Sequence, residues 1–159
     1  MPGVVGFGKA AQIAELRLHG DAARMRALRN RLESGLVGRV PDTAVIGASA
    51  GRLPNTSAIV CADVEAEAVA TMLAREGVAV STGAACAAGS HAPSHVLKAM
   101  NIPMAAELGA VRFSLSRETD DDDIDRALAA TPEIVARLRS RAHCAADREI
   151  SRKREAAYA

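Results

Sequence analysis

The strand-like runs in this chain are short. Residues 44–46, 57–62, 78–80 and 110–115 hold three to six residues each, lengths that suit strands and fall well short of helices. Around them, apolar residues recur at helical steps. A chain of this kind builds a short sheet and covers it with helices. The filling of that sandwich is constrained as well. With two Phe, one Tyr and no Trp, the core has to be made from Ala, Val, Leu and Ile.

Residues 8–36 read as a helix, with Ile13, Leu16, Met25, Leu28, Leu32 and Leu36 at mostly three- and four-residue steps. Gly20-Asp21 marks a break or kink in it. The start, residues 1–8, is apolar and glycine-rich and brings no cap of its own. Pro41-Asp42 turns the chain into the first strand, and residues 47–54 form a loop. After the second strand Asp63 is placed to cap a helix running to about Arg75, with Val64, Ala68, Val69 and Leu73 inward. Gly77 ends it where a left-handed residue is wanted. A helix from Pro93-Ser94 through Met100 stops at Asn101-Ile102-Pro103. Thr119 is read as the cap of the next helix, with Asp120 to Asp123 in its first turn, where the dipole favours negative charge. Thr131-Pro132 is expected to interrupt that helix and restart it. Residues 137–159, charged and alanine-rich, show no clear buried stripe beyond Leu138, and their end reads as a frayed tail. The order is helix, strand, strand, helix, strand, helix, strand, helix, which makes the fold class α+β. The chain is divided into residues 1–20, residues 21–140 as an α+β unit carrying the cysteine loop, and residues 141–159 as a charged tail.

The 159 residues fit one domain, and 49% hydrophobic with 25% charged residues is ordinary for a globular chain. A net charge of +1, without aromatic residues interleaved among basic ones, gives no reason to expect nucleic acid or an anionic membrane. No apolar run approaches the roughly 20 residues that span a bilayer. The N-terminus lacks a signal-peptide layout, so the expected location is cytoplasmic. The three cysteines, Cys61, Cys86 and Cys144, are widely spaced and lack CxxC spacing. Reduced thiols are the expectation, and neither a disulfide framework nor a metal site.

Chemistry concentrates between Gly77 and Ser116. Residues 81–90 form a loop of small residues with Cys86 near its centre, and Arg112 sits on the strand beyond. A thiolate on a loop attacks or carries a group, and a guanidinium grips a carboxylate by two parallel hydrogen bonds. Against this, Cys86 can be read as a small buried hydrophobe, but its glycine, alanine and serine neighbours suit an exposed loop. A free thiol titrates at about 8.5, and no Lys or Arg lies within ten residues of Cys86 in sequence to lower it. Arg112 can equally be a strand-edge salt bridge. His91 and His95 lack Cys or acidic partners at metal-ligand spacing. His91 reads as a surface residue and His95 as a hydrogen bonder at a helix start. Cys61 reads as core and Cys144 as an incidental thiol. The four acids at 120–123 fall on successive positions and cannot converge on one ion.

The stretch Ser81-Thr82-Gly83-Ala84-Ala85-Cys86-Ala87-Ala88-Gly89-Ser90, followed by Ala92-Pro93-Ser94-His95-Val96-Leu97-Lys98-Ala99-Met100, resembles the cysteine desulfurases. These are pyridoxal-phosphate enzymes of the class V aminotransferase family. The long loop is similar to the subgroup serving iron–sulfur cluster assembly. Arg52-Leu53-Pro54-Asn55-Thr56, Val64-Glu65-Ala66-Glu67 and Val111-Arg112-Phe113-Ser114-Leu115 resemble the same family in the same order, over roughly residues 2–140.

The resemblance implies that Cys86 takes the sulfur of L-cysteine as a persulfide, that Arg112 binds the substrate carboxylate, and that Asn55 lies near the site. It also implies the small C-terminal domain of a fold-type I pyridoxal-phosphate enzyme, a dimer, and a sulfur-acceptor or scaffold protein as partner. Ala84, Ala87 and Ala88 stand where Ser or Thr is common, Ala92 replaces a glutamate and Ala66 a glycine. The family's Ser-x-His-Lys motif has no counterpart, since Lys9, Lys98 and Lys153 are the only lysines and none follows a histidine. The ring-stacking histidine, the pyridine-nitrogen aspartate and the large-domain phosphate groups have no counterpart either. Met1 falls where the family continues upstream. The expectation is therefore the C-terminal part of a cysteine desulfurase, with no cofactor bound covalently to this chain and a missing large domain or homodimer mate as partner. A stand-alone persulfide carrier or binding module, and an inactive remnant, are the rival readings.

Overall fold

The computed structural model describes residues 1–82, 94–102 and 108–157, and of residues 143–157 the backbone alone. The order is α1 (Pro2–Arg39), β1 (Thr43–Val45), β2 (Thr56–Cys61), α2 (Ala66–Arg75), β3 (Ser81–Thr82), α3 (His95–Ala99), β4 (Ala110–Ser114) and α4 (Asp121–Ala157). The strands form one antiparallel sheet in the order β1-β2-β4-β3. This is the expected α+β sandwich. The third strand sits slightly later than the apolar run 78–80, on Ser81–Thr82.

Register sorts the side chains into two faces. Ile59 pairs with Val111 and Ser57 with Phe113, on the inner face. There they meet Leu32 and Leu36 of α1, Val69 and Leu73 of α2, and Ile124, Leu128 and Val135 of α4. Burying each such aliphatic side chain is worth about 1.5–3 kcal/mol. Ala58 pairs with Arg112 and Val60 with Ala110, on the outer face. A smaller cluster of Ile46, Val60, Leu97 and Ala110 covers part of it, with Leu97 coming from α3.

Several local expectations are corrected. Gly20-Asp21 does not break α1, which runs unbroken from Pro2 to Arg39. A glycine costs a helix only about 1 kcal/mol relative to alanine, and no proline intervenes. Asp63 does not cap α2. It adopts φ 60°, and the helix begins at Ala66, whose N–H donates to the Leu108 carbonyl at 2.8 Å. A neighbouring backbone thus supplies the cap that the sequence seemed to assign to a side chain. That approach needs Gly109, because a Cβ there would collide with the Cys61 carbonyl oxygen. Gly77 ends α2 as expected, at φ 77°.

Thr119 does not cap α4 either, since its Oγ1 accepts from the Ser116 N–H. Asp120 does so instead. Its carboxylate accepts from the Asp123 N–H at 3.0 Å, while Asp123 accepts from the Asp120 N–H at 3.3 Å, a reciprocal cap. Thr131-Pro132 does not divide the helix. Pro132 lacks the N–H that would meet the Leu128 carbonyl, and Arg39 Nη1 donates to that carbonyl at 3.0 Å in its place. Thr131 Oγ1 donates to the Ala127 carbonyl at 2.7 Å. The helical backbone continues through the charged tail to Ala157.

Arginines fasten α1 alongside α4. Arg24 donates to the carbonyls of Thr119 and Arg117, and Arg31 pairs with Asp121 at 2.8 Å and Asp125 at 2.6 Å. Before Arg24 the helix loses this support, and Val4, Val5, Phe7, Leu16 and Leu18 are exposed.

Candidate functional site

Alternation along β4 buries Val111 and Phe113 and turns Arg112 outward between them. Its neighbour on β2 is Ala58, too small to cover it, and its neighbour on β3 is Ser81. Arg112 Nη2 donates to Ser81 Oγ at 3.3 Å. No carboxylate pairs with Arg112 among the described residues, so the salt-bridge alternative finds no partner there. An exposed guanidinium with unused N–H donors is a group able to take a carboxylate from solution.

Cys86 and His91 lie outside the described residues. What is described is where their loop departs and returns. It leaves after Ser81–Thr82, in register with Arg112 and Val111. It returns at Ser94, the residue before α3, whose Leu97 packs on the outer face beside Ala110. The return at Ser94 therefore stands on the Arg112 side of the sheet, and the departure lies in the sheet itself, on the strand beside Arg112. His95 is the first residue of α3 and is exposed. Cys144 lies on α4 with its side chain undescribed.

Asn55 is occupied with the sheet. Its carbonyl accepts from the Leu115 N–H at 2.8 Å, and its Nδ2 donates to the Leu115 carbonyl at 3.3 Å. Leu115 is three residues beyond Arg112, one past the end of β4 and about 10 Å away. Asn55, just before β2, and Leu115, just after β4, thus fasten the end of the strand pair that carries Arg112.

A network centred on Glu33 was not visible in the sequence. Arg52 grips its carboxylate with two bonds, at 2.7 and 3.1 Å. Ser57 Oγ donates to it at 2.6 Å, and Arg29 Nε stands 3.8 Å away. Burial alone would raise the Glu33 carboxyl, but the hydrogen bonds from Arg52 and Ser57 and the charges of Arg52 and Arg29 outweigh it and hold it below its ordinary value. One carboxylate on α1 thereby ties down residues on both sides of Asn55. The spacing of Arg29 and Glu33, four apart on a helix, was the available hint.

Cys61 is buried on the inner face, as its strand position suggested. Burial pushes its thiol up, against smaller opposing effects of Thr43 and Arg139. A cleft of about 160 Å³ opens beside Val78 and Ala79. Its floor is Leu32, Phe113 and Ile124, which places it on the inner side and apart from Arg112. Among the described residues no cluster of three His, Cys, Asp or Glu could hold a metal ion. No described helix is long and apolar enough to cross a membrane.

Comparison with known proteins places this arrangement. The family profile described as aminotransferase class-V matches residues 1–127, and the chain belongs to that family. Among curated proteins, it is 49% identical over 140 residues to a cysteine desulfurase of Cereibacter sphaeroides, covering 88% of this chain and 35% of the relative. It is 45% identical over 139 residues to one from Gluconacetobacter diazotrophicus, covering 87% and 35%. It is 44% identical over 137 residues to the cysteine desulfurase NifS of Azotobacter vinelandii, covering 86% and 34%. The chain thus spans about a third of the length of these relatives. Among solved structures, a NifS-like protein superposes with a TM-score of 0.74 at 30% identity, covering 86% of this chain and 34% of that one. A NifS-like protein from Rickettsia africae gives 0.71 at 26% identity, covering 81% and 33%. The resemblance read from the cysteine loop therefore stands.

The family is generally dependent on pyridoxal phosphate. The described residues do not fit that group. Holding it covalently needs a lysine amine inside a pocket. Lys9 Nζ instead donates to Gln12 on an exposed turn of α1, Lys98 is exposed on α3, and no lysine lines the cleft.

Proposed function

We propose that these residues form the C-terminal portion of a cysteine desulfurase, which converts L-cysteine to L-alanine and keeps the sulfur as a persulfide on Cys86. In this reading Arg112 grips the substrate carboxylate, and Asn55 secures the strand pair that presents it. The observation that carries the reading is the outward placement of Arg112 opposite Ser81, with the loop of Cys86 departing one residue later. Cys86 follows Ser81 by five residues, at most about 18 Å of extended chain, a tether short enough for the thiol to approach a substrate held by the guanidinium. The sulfur then passes to an acceptor or scaffold protein of iron–sulfur assembly, in the cytoplasm. Exposure of Val4, Val5, Phe7, Leu16 and Leu18 supports a further partner surface over the first part of α1, supplied by a large domain or a dimer mate.

The test has two arms. The isolated chain with added pyridoxal phosphate and L-cysteine is expected to release no sulfide, for want of a placed lysine. With a dithiol reductant present to release the persulfide sulfur, a chimera joining this chain to the remainder of the Cereibacter sphaeroides relative, in place of the matching region, is expected to release sulfide and to lose that activity with Cys86→Ala. Turnover by the isolated chain, lost with Cys86→Ala, would refute the reading of the chain as one part of the catalyst. A folded chimera without turnover would refute the desulfurase reading itself.

A further inference from the structure

Ser81 and Arg112 face each other across β3 and β4, in register and on the outer face. We propose that Ser81 is a positioning residue for carboxylate recognition, its oxygen holding the Arg112 guanidinium in one pose while its own hydrogen is left to donate to the bound carboxylate. This deepens the reading of Arg112 as the carboxylate grip, and rests on it.

The geometry of the guanidinium carries the argument. A carboxylate can take two parallel hydrogen bonds from one edge, either Nε with Nη2 or Nη1 with Nη2. Each edge uses one of the two Nη2 hydrogens. Ser81 accepts from Nη2 at 3.3 Å, so it occupies one edge and leaves the other whole. It thereby selects the face that Arg112 offers to a ligand. A long arginine side chain on an exposed strand is otherwise free to sample many rotamers, and fixing it beforehand lowers the entropic cost of binding. Ser81 is itself held by strand pairing to β4 and is half-buried. Its hydroxyl hydrogen meets no acceptor among the described residues, leaving a second donor beside the guanidinium. Serine also has less claim to a strand position than the β-branched residues do, so packing alone does not call for it here.

The experiment uses the full 159-residue chain, labelled with nitrogen-15 and kept reduced, with the Arg112 Nε–Hε signal identified from its loss in Arg112→Lys. L-cysteine is the probe, and cysteamine, which lacks only the carboxylate, is the control. L-cysteine is expected to shift the signal and cysteamine to leave it in place. Ser81→Ala is expected to weaken L-cysteine binding about tenfold, the effect of losing one hydrogen bond to a charged group. It should also lower the heteronuclear NOE of the ligand-free Arg112 Nε. Ser81→Thr, which keeps the hydroxyl, should restore both. Unchanged affinity and unchanged NOE in a folded Ser81→Ala variant would overturn the inference while leaving Arg112 as the grip. If L-cysteine moves nothing in the wild-type chain, the Arg112 reading falls along with the donation to carboxylate. The NOE would then still decide whether Ser81 holds the guanidinium.

Discussion

The two faces of the sheet are built on opposite principles from the same strands. The inner face presents Ile59, Val111 and Phe113 to three helices and is closed to water. The outer face presents Ala58, Ser81 and Arg112, and among the described residues α3 and a small cluster cover part of it. Alternation along β4 therefore assigns stability to Val111 and Phe113 and chemistry to the residue between them. Substitutions on the inner face should cost folding energy, whereas those at Arg112 should cost function with the fold intact.

The largest effect is expected from Leu36→Ala. Leu36 is 1% exposed and packs in the inner core. Truncation there should remove about 2–5 kcal/mol, read as a fall in the urea midpoint with little change in slope. A loss below about 1 kcal/mol would show that the inner face is looser than its burial implies.

Glu33 comes next, because it joins α1 to the β2 end of the sheet. Glu33→Gln keeps the shape but removes the charge that Arg52 and Arg29 face, and should cost about 2 kcal/mol. The pH dependence has a definite sign. The folded carboxyl lies below its ordinary value of 4.5, so its contribution is fully present above that value and is lost as pH falls through the lowered one. Wild type should therefore lose stability faster than Glu33→Gln as pH drops below about 4.5, as followed by acid titration of the urea midpoint. Parallel curves would contradict the assignment.

Cysteine reactivity contrasts the buried thiol of the inner face with the thiol proposed to carry the chemistry. The Cys61 thiol is buried and pushed up, so limiting iodoacetamide near neutral pH should label Cys86 well before it. Mass mapping that found Cys61 labelled first would reverse the comparison. The smallest effect on stability is expected at Arg112→Ala. An exposed side chain with one hydrogen bond at 3.3 Å should change unfolding by no more than about 0.5 kcal/mol.

Much of this contrast was legible in the sequence. The strand-like runs 44–46, 57–62 and 110–115, the helical stripe through Leu28, Leu32 and Leu36, and Gly77 after α2 foretold their elements, whereas the run 78–80 fell just short of β3. Arg112 stood out as a charge inside an apolar strand. What escaped was settled by contacts between residues distant in sequence. Pro132 suggests a helix break until Arg39, from the other end of the chain, takes the Leu128 carbonyl. Asp63 suggests a cap until the Leu108 carbonyl fills that position. Glu33 looked like one more charge between apolar positions, because Arg52 and Ser57 reach it only after β2 has docked on α1. Ser81 acquired meaning only from the register that sets it opposite Arg112.

The most direct test of the account is to locate the sulfur. The chimera described above, given L-cysteine without reductant and then digested, should carry one additional sulfur atom on the peptide containing Cys86. That addition should fall sharply in Arg112→Ala at low L-cysteine and recover as L-cysteine is raised, because the lost guanidinium weakens binding of the carboxylate. Additional sulfur on Cys61 in place of Cys86, or full loading of Cys86 in Arg112→Ala at low L-cysteine, would contradict the assignment of the chemistry to the outer face.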